Sequence, residues 1–554
     1  MKIIRLEMVH QPSTHINIGG ENMSVAEKVL DQYSSRVYKN RKTHIVEVDN
    51  NENENQIAAN VRTIPGIMTQ RGCCYAGCKG VVLGPIKDAL QIVHGPIGCS
   101  YYAWGTRRHK GKNAEGVDNY LQYSFSTDMQ EPDVVFGGEK KLKKAIDEAM
   151  DLFHPSTIMI CSTCPVGLIG DDIHAVAKWA EEKHNIKCIA FSCEGYKGVS
   201  QSAGHHIANN QLMKFIIGEG DRKIESKFSV NILGEYNIGG DGWETERILK
   251  RIGYEVVSVF TGDSSIEDLK NAHQANLSLV QCHRSINYIA EMIETKYGVP
   301  WMKVNFIGVK GTIETLRNIA KYFDDEELTK RTEEVIADEL EKIIDDIEYY
   351  KTKLKGKTAA LYVGGSRSHH YQTLLHDFGV STVLAGYEFA HRDEYEGSEV
   401  VPFIKEDADS KNIESITVQP DPEKYHLYLP EEVLEHLREE KLLGYYGGMA
   451  KEMEAGTYMV DDLNHFETEE FLKLLKPDIF FSGIKDKFVA QKSGILSRQL
   501  HSYDYSGPYS GFRGAVNFAR DITMGIYTPA WSFIKAPWKT APILTGTLGG
   551  EQAC

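Results

Sequence analysis

With 554 residues, 42% of them hydrophobic and 25% charged, the chain is long enough for roughly two to four domains and has the balance of a soluble globular protein. A net charge of −16 argues against nucleic acid as a partner, and no run approaches the roughly 18 apolar residues of a membrane span. No charged-then-apolar signal peptide opens the sequence, so a cytoplasmic setting is expected, in which ten sparse cysteines serve as thiols or metal ligands rather than as a disulfide scaffold.

Residues 1–22 are polar and without period, and Met23 is a candidate start. Ser24 caps an expected helix over residues 25–33, and the Asp/Asn/Glu run at 49–55 reads as a solvated loop. The stretch 71–108, RGCCYAGCKGVVLGPIKDALQIVHGPIGCSYYAWGTRR, then crowds four cysteines into turn-rich sequence. Glycines beside Cys73 and Cys99 let the backbone approach a bulky group closely. Between them, Gly84-Pro85 opens and Gly95-Pro96 closes an expected short helix with Ile86, Ala89, Leu90 and Val93 on one face, which would hold the two thiols apart. Isolated cysteines of this kind suit an iron–sulfur cluster, with packing, zinc or redox chemistry as the other readings.

From Thr157 onward short apolar strands alternate with amphipathic helices, the pattern of parallel α/β layers. A strand at 157–160 places Cys164 just past its carboxyl end, where α/β sheets put ligands. Cys161 and Cys164 form a C-x-x-C, but Pro165 speaks against a thioredoxin-like motif. The next unit, a strand at 188–191, leads into a helix carrying His205 and His206, only one of which can face a given site. Two more units follow at 230–252 and 254–273, and a strand at 277–281 delivers Cys282 as the earlier one delivers Cys164. Residues 325–354, with Glu334, Glu339, Glu341 and Asp345, read as a solvated connecting helix. A further unit begins at 358 and presents Gly364, Gly365 and Arg367 as a weak anion-binding signal. Mixed charge over 402–470 suggests a surface insertion, after which a strand at 478–481 restores order and His501 lies in a Gly-rich aromatic run. Neither GxxxxGK[ST] nor GxGxxG nor HExxH occurs, so the chain is expected to bind no nucleotide itself.

The motifs RGCCYAGCKG, HGPIGC, CPVGLIGDD, QCHRSINY and LHSYDYSGPY together resemble the alpha chains of nitrogenase molybdenum–iron proteins, and the likeness runs from about residue 62 to about 529. The resemblance implies that Cys73, Cys99 and Cys164 share an [8Fe-7S] P-cluster, an electron relay, with three cysteines of a beta chain. It implies that Cys282 and His501 hold an iron–molybdenum cofactor with homocitrate. Around that cofactor it sets Val81, Gln201, His205, Arg107 and Arg367 as catalytic neighbours, and Lys485, Gly364, Gly365, Ser285 and Phe389 as cofactor-binding residues, with Tyr288 on the helix behind Cys282. Imidazole and guanidinium donors of this kind suit a multi-anionic cluster that gains electrons and protons.

The implied activity is reduction of dinitrogen to ammonia with hydrogen evolution, in an alpha2beta2 heterotetramer fed by an ATP-hydrolysing iron protein. A cofactor-assembly scaffold is the alternative from another class, against which His501 and the three relay cysteines speak. Vanadium or iron in place of molybdenum is the third reading. Cys74, His283 and Tyr503 sit beside proposed ligands at positions that differ from or vary within the family, and the long insertion resembles that of clostridial-type members. The expected fold is three Rossmann-like α/β domains of parallel sheet flanked by helices with the metallocofactor between them. These follow an N-terminal extension at 1–60 and cover 61–225 with the relay cysteines and His205, 226–355 with Cys282, and 356–554 with His501.

Overall fold

The computed structural model describes residues 23–49, 55–59, 72–107, 110–197, 201–364, 367–388, 390–403, 416–500 and 506–533, without the side chains of 106, 107, 197, 284, 285, 403, 484, 485, 531 and 532. Its strands are β1 (Ile45–Glu47), β2 (Leu90–His94), β3 (Phe125–Ser126), β4 (Thr157–Ser162), β5 (Lys187–Phe191), β6 (Ser229–Glu235) and β7 (Glu255–Thr261), then β8 (Leu277–Val280), β9 (Trp301–Lys303), β10 (Thr358–Tyr362), β11 (Ser381–Tyr387), β12 (Tyr458–Asp461), β13 (Ile479–Ser482) and β14 (Leu496–Gln499). They form three sheets, ordered β3-β2-β4-β5, β7-β6-β8-β9 and β1-β12-β11-β10-β13-β14. Every pairing is parallel except β1 with β12. Helices cover the faces, so central strands such as β2, β4 and β6 are buried along their whole length and read as apolar runs rather than as alternating ones. The chain is thus a mixed α/β protein of mostly parallel sheets flanked by helices, as expected from the alternating pattern.

Four sequence expectations change. The segment expected as a helix between Cys73 and Cys99 is β2, which pairs with both β3 and β4. Ile86, Ala89, Leu90 and Val93 match a helical period, but a run buried on both faces carries no period of its own, and here the strand's sheet partners decide. The helix of this region lies earlier, at Ala76–Leu83 with π-type hydrogen bonding, and Gly84 closes it rather than opening the next.

The second change concerns the surface insertion expected at 402–470. Its last part is core: β12 lies between β1 and β11 and is wholly buried, and the His465–Leu475 helix packs Phe471 and Leu472 inside. Third, residues 23–49 are no separate extension, because β1 adds an edge to that same sheet. Arg41 reaches a buried carboxylate, Glu467, by two hydrogen bonds of 2.7 and 2.8 Å. Ser24 and Glu27 cap the first helix reciprocally, and it ends at Leu30. Fourth, the segment 325–354 is two helices, Glu326–Glu341 and Ile344–Leu354, and Glu339 is fully buried between Arg247 and Arg251 rather than solvated.

Candidate metal-binding sites

Three turns bring Cys73, Cys99 and Cys164 to one face. Cys73 precedes the Ala76–Leu83 helix, and its Sγ accepts the Ala76 N–H at 3.4 Å. Cys99 lies in the first turn of the Ile97–Arg107 helix, and its carbonyl accepts the Tyr75 hydroxyl at 3.1 Å, which ties the two loops together. Cys164 opens the Cys164–Ile169 helix directly after β4, with Pro165 in its first turn, where a missing N–H costs nothing.

Gly195 stands over Cys73 and Cys164: a Cβ there would lie 3.3 Å from Cys73 Cβ and 3.8 Å from Cys164 Sγ. Burial pushes the Cys99 thiol up, and the charges of Cys73 and Cys164 add to the shift, which marks the three sulfurs as electrostatic neighbours. Cys73 is exposed and the other two are half-buried. Around them Ile97, Tyr101 and Tyr102 on the Cys99 helix, Leu168 on the Cys164 helix, and Phe136, 86% exposed on the Glu131–Phe136 helix, leave a large apolar rim open.

Other cysteines turn inward. Cys74 packs in the core behind this face, and Cys78, Cys161 and Cys193 are fully buried as electrostatic neighbours of one another, with the Cys193 Sγ donating to the Ser162 carbonyl at 3.3 Å. The C-x-x-C therefore splits, with Cys161 facing the core and Cys164 the open face.

Cys282 is placed differently. It lies two residues past β8 and caps the His283–Tyr297 helix, and only 6% of it is exposed. Gly234 of β6, at φ +81°, passes so close that a Cβ would meet the Cys282 backbone nitrogen at 2.7 Å. The Gln201–Phe215 helix packs against the Cys282 helix and carries His205, buried, while the neighbouring His206 ring lies on Tyr288 with centroids 3.2 Å apart. Gln201 opens that helix by donating its N–H to the Gly72 carbonyl at 2.9 Å, and its side chain leaves no room for a Cβ at Gly72. Val81 is buried in the adjoining π-type turn.

Arg367 begins the helix after β10, close to Gly364. Its guanidinium lies 3.8 Å from both Glu235 and Asp241. Burial pushes the Glu235 carboxyl up to about 7 against the pull of that guanidinium. Asp241 in turn accepts the N–H groups of Tyr509 and Ser510 at 2.6 and 2.9 Å, linking the second sheet to the segment that follows His501. His501, Tyr503, Gly365 and Phe389, and the side chains of Arg107, Ser285 and Lys485, lie outside the described residues.

Two features escape sequence reading. Lys303, on the short edge strand β9, donates to the Gln281 carbonyl at 3.2 Å. Its ammonium is pushed down to about 8 by burial, opposed by the charge of Cys282. Next to Cys282, His283 faces Asp393 at 3.6 Å and stacks on Tyr446 at 3.8 Å. Burial raises the Asp393 carboxyl, but the His283 hydrogen bond and charge outweigh it and hold it low. A lone Lys in a three-residue strand and contacts spanning over a hundred residues leave no local pattern to read.

The family model described as nitrogenase component 1 type oxidoreductase matches residues 73–527. The nitrogenase molybdenum-iron protein alpha chain of Clostridium pasteurianum is 60% identical over 96% of this chain and 99% of that one, and that of Methanosarcina barkeri 55% identical over 94% and 97%. A solved structure titled "Nitrogenase Cp1 at pH 6.5" superposes with a TM-score of 0.89 at 60% identity, covering 93% of this chain and 100% of that one.

Proposed function

The chain belongs to the nitrogenase component 1 type oxidoreductase family and is the catalytic alpha subunit of a molybdenum-dependent nitrogenase; from that premise we propose how its residues divide the work of reducing dinitrogen. The observation that carries the proposal is the contrast in burial between three thiols grouped on an open apolar face and one thiol, Cys282, closed inside.

Cys73, Cys99 and Cys164 fit an iron–sulfur group in chemistry and number. They are soft donors on loops with glycine beside them, and three thiolates on an exposed face form half of a ligand set that a second subunit completes. The apolar rim with Tyr101, Tyr102 and Ile97 suits burial against that subunit, a beta chain in an alpha2beta2 heterotetramer. The group they would hold is the [8Fe-7S] P-cluster.

Cys282, with His501, would hold the iron–molybdenum cofactor with homocitrate. The closed strand end, the cationic Arg367 and Lys303 and the donor-rich helix starts fit a multi-anionic group. When bound, that group supplies the site where electrons accumulate and dinitrogen is reduced. The chain's own residues bind, orient and protonate. His205, buried on the Gln201–Phe215 helix, would hold a proton at a ring nitrogen and donate it to the bound group. Gln201, fixed at the same helix start, orients the organic acid together with Lys485. Arg107 and Arg367, with Gly364, Gly365, Ser285 and Phe389, complete the surround, and Val81 restricts access by its bulk. Electrons come from a separate iron protein that hydrolyses ATP, in the reducing setting of the cytoplasm.

Metal analysis with paramagnetic resonance on the anaerobically purified complex tests this reading. Molybdenum together with a half-integer-spin signal that disappears in His501→Ala is expected. Iron with no heterometal, in protein from cells with an intact assembly pathway, would overturn it in favour of a scaffold.

A further inference from the structure

The stretch 416–446 holds the Cys282 helix at both ends. At its carboxyl end, where the last carbonyls of a helix lack partners of their own, the Asp421 N–H donates to the Lys296 carbonyl at 2.9 Å and the His426 N–H to the Tyr297 carbonyl at 3.0 Å. The approach is close enough that a Cβ at Gly298 would meet the His426 carbonyl at 2.3 Å. Along the helix Arg438 pairs with Glu294 at 2.9 Å, and beyond its end the Gly444 N–H donates to the Trp301 carbonyl of β9 at 3.0 Å. Ile416 and Val418 pack on the same core as Ile286, Ile289 and Ile293. At the amino end Tyr446 is buried, its ring 3.8 Å from that of His283 and its hydroxyl donating to Asp393, whose carboxylate faces His283 Nε2 at 3.6 Å.

His283 directly follows Cys282, so the first turn that fixes the His283 ring also fixes the direction of the Cys282 Cα–Cβ bond. A segment that served only as surface would not need to satisfy another helix's terminal carbonyls or to bury an aromatic ring against its first turn. We propose that residues 416–446 are a brace for the Cys282 helix, and that Tyr446, acting through Asp393 and His283, is a positioning residue that sets where the Cys282 sulfur points. The inference deepens the reading of Cys282 as a cofactor ligand and rests on it for its consequence, though not for the bracing itself.

The test uses the intact heterotetramer with Tyr446→Phe and Tyr446→Ala. It reads hydrogen exchange of the helix amides 283–297 together with the paramagnetic spectrum of the resting complex. Tyr446→Phe keeps the ring and removes the donor, so the spectral lines shift at unchanged molybdenum content while exchange stays near wild type. Tyr446→Ala removes the ring as well and speeds exchange of the first two turns about tenfold, the equivalent of ~1.4 kcal/mol of local stability. Wild-type exchange and spectrum in Tyr446→Ala would overturn the proposal. Should that variant lose its cofactor, exchange is compared with cofactor-free wild-type protein, where the same tenfold is expected and equality overturns the brace. A wild-type complex without molybdenum would sink the ligand reading of Cys282, and the brace would still be decided by exchange.

Discussion

Cys164 and Cys282 occupy equivalent places in two sheets, each just past the carboxyl end of a central parallel strand and at the start of a helix, yet one is half-buried on an open face and the other closed in. The strand end alone does not decide what a thiol there does. At Cys164 the helix that follows has only six residues and exposes Leu168, so the sulfur stays at an open apolar surface. At Cys282 the helix has fifteen residues, and a second helix and a long loop pack against it, so the chain itself supplies the enclosure. Under the proposed function that difference corresponds to a group shared between subunits at the first position and one held within this chain at the second.

Removing each sulfur is the strongest way to break that comparison. Cys282→Ala is expected to abolish molybdenum retention while the relay iron and the tetramer persist. Cys164→Ala is expected to lose relay iron and weaken assembly with the beta chain. Iron and molybdenum content with the mass of the complex would check both, and identical losses in the two variants would collapse the distinction.

The glycines that make room for each sulfur sharpen it. Gly234→Ala combines a positive φ with backbone contact at 2.7 Å from the Cys282 nitrogen, so nothing flexible can give way, and a loss of about 3 kcal/mol in unfolding free energy is expected. Gly195→Ala meets Cys73 Cβ at 3.3 Å with no positive φ, and a shift of a few tenths of an ångström relieves it. Its cost should stay below about 1 kcal/mol and show instead as a changed relay reduction potential. Denaturant unfolding of the two variants, with a potentiometric titration of the second, separates them.

How much of this was legible before the structure follows from the same physics. Cys164 and Cys282 were readable because strand, small-residue turn and helix stand next to one another in the chain. The β2 strand was not, since Leu90 and Val93 are buried on opposite faces and mimic a helical stripe. The β12 strand was hidden by the charged sequence around it, and only its pairing with β1 and β11 reveals it. Glu339 looked solvated because its partners, Arg247 and Arg251, lie about ninety residues away. The Tyr446–Asp393–His283 cluster belongs to the same class: each contact is ordinary, and only the fold brings them to Cys282.

Another small expected effect probes the closed region through acid. His273 packs its ring on Tyr297, at the far end of the Cys282 helix, with centroids 5.3 Å apart, and its Nδ1 faces the Lys270 carbonyl at 3.1 Å. Burial pushes its pKa from 6.5 down to about 4; the Lys270 carbonyl and Asp421 oppose that shift, while Lys424 and His426 of the bracing stretch add to it. Between pH 6.5 and 4 the unfolded chain therefore takes up a proton that the folded chain refuses, and stability falls as pH drops through that window. Allowing for screening by solvent, His273 should account for about 1 kcal/mol of that fall. Urea unfolding at pH 7 and pH 5 should show His273→Gln losing less stability on acidification than the wild type. An unchanged acid slope would mean that the far end of the Cys282 helix takes up the charge without cost, and that the enclosure around this thiol is looser there than at Tyr446.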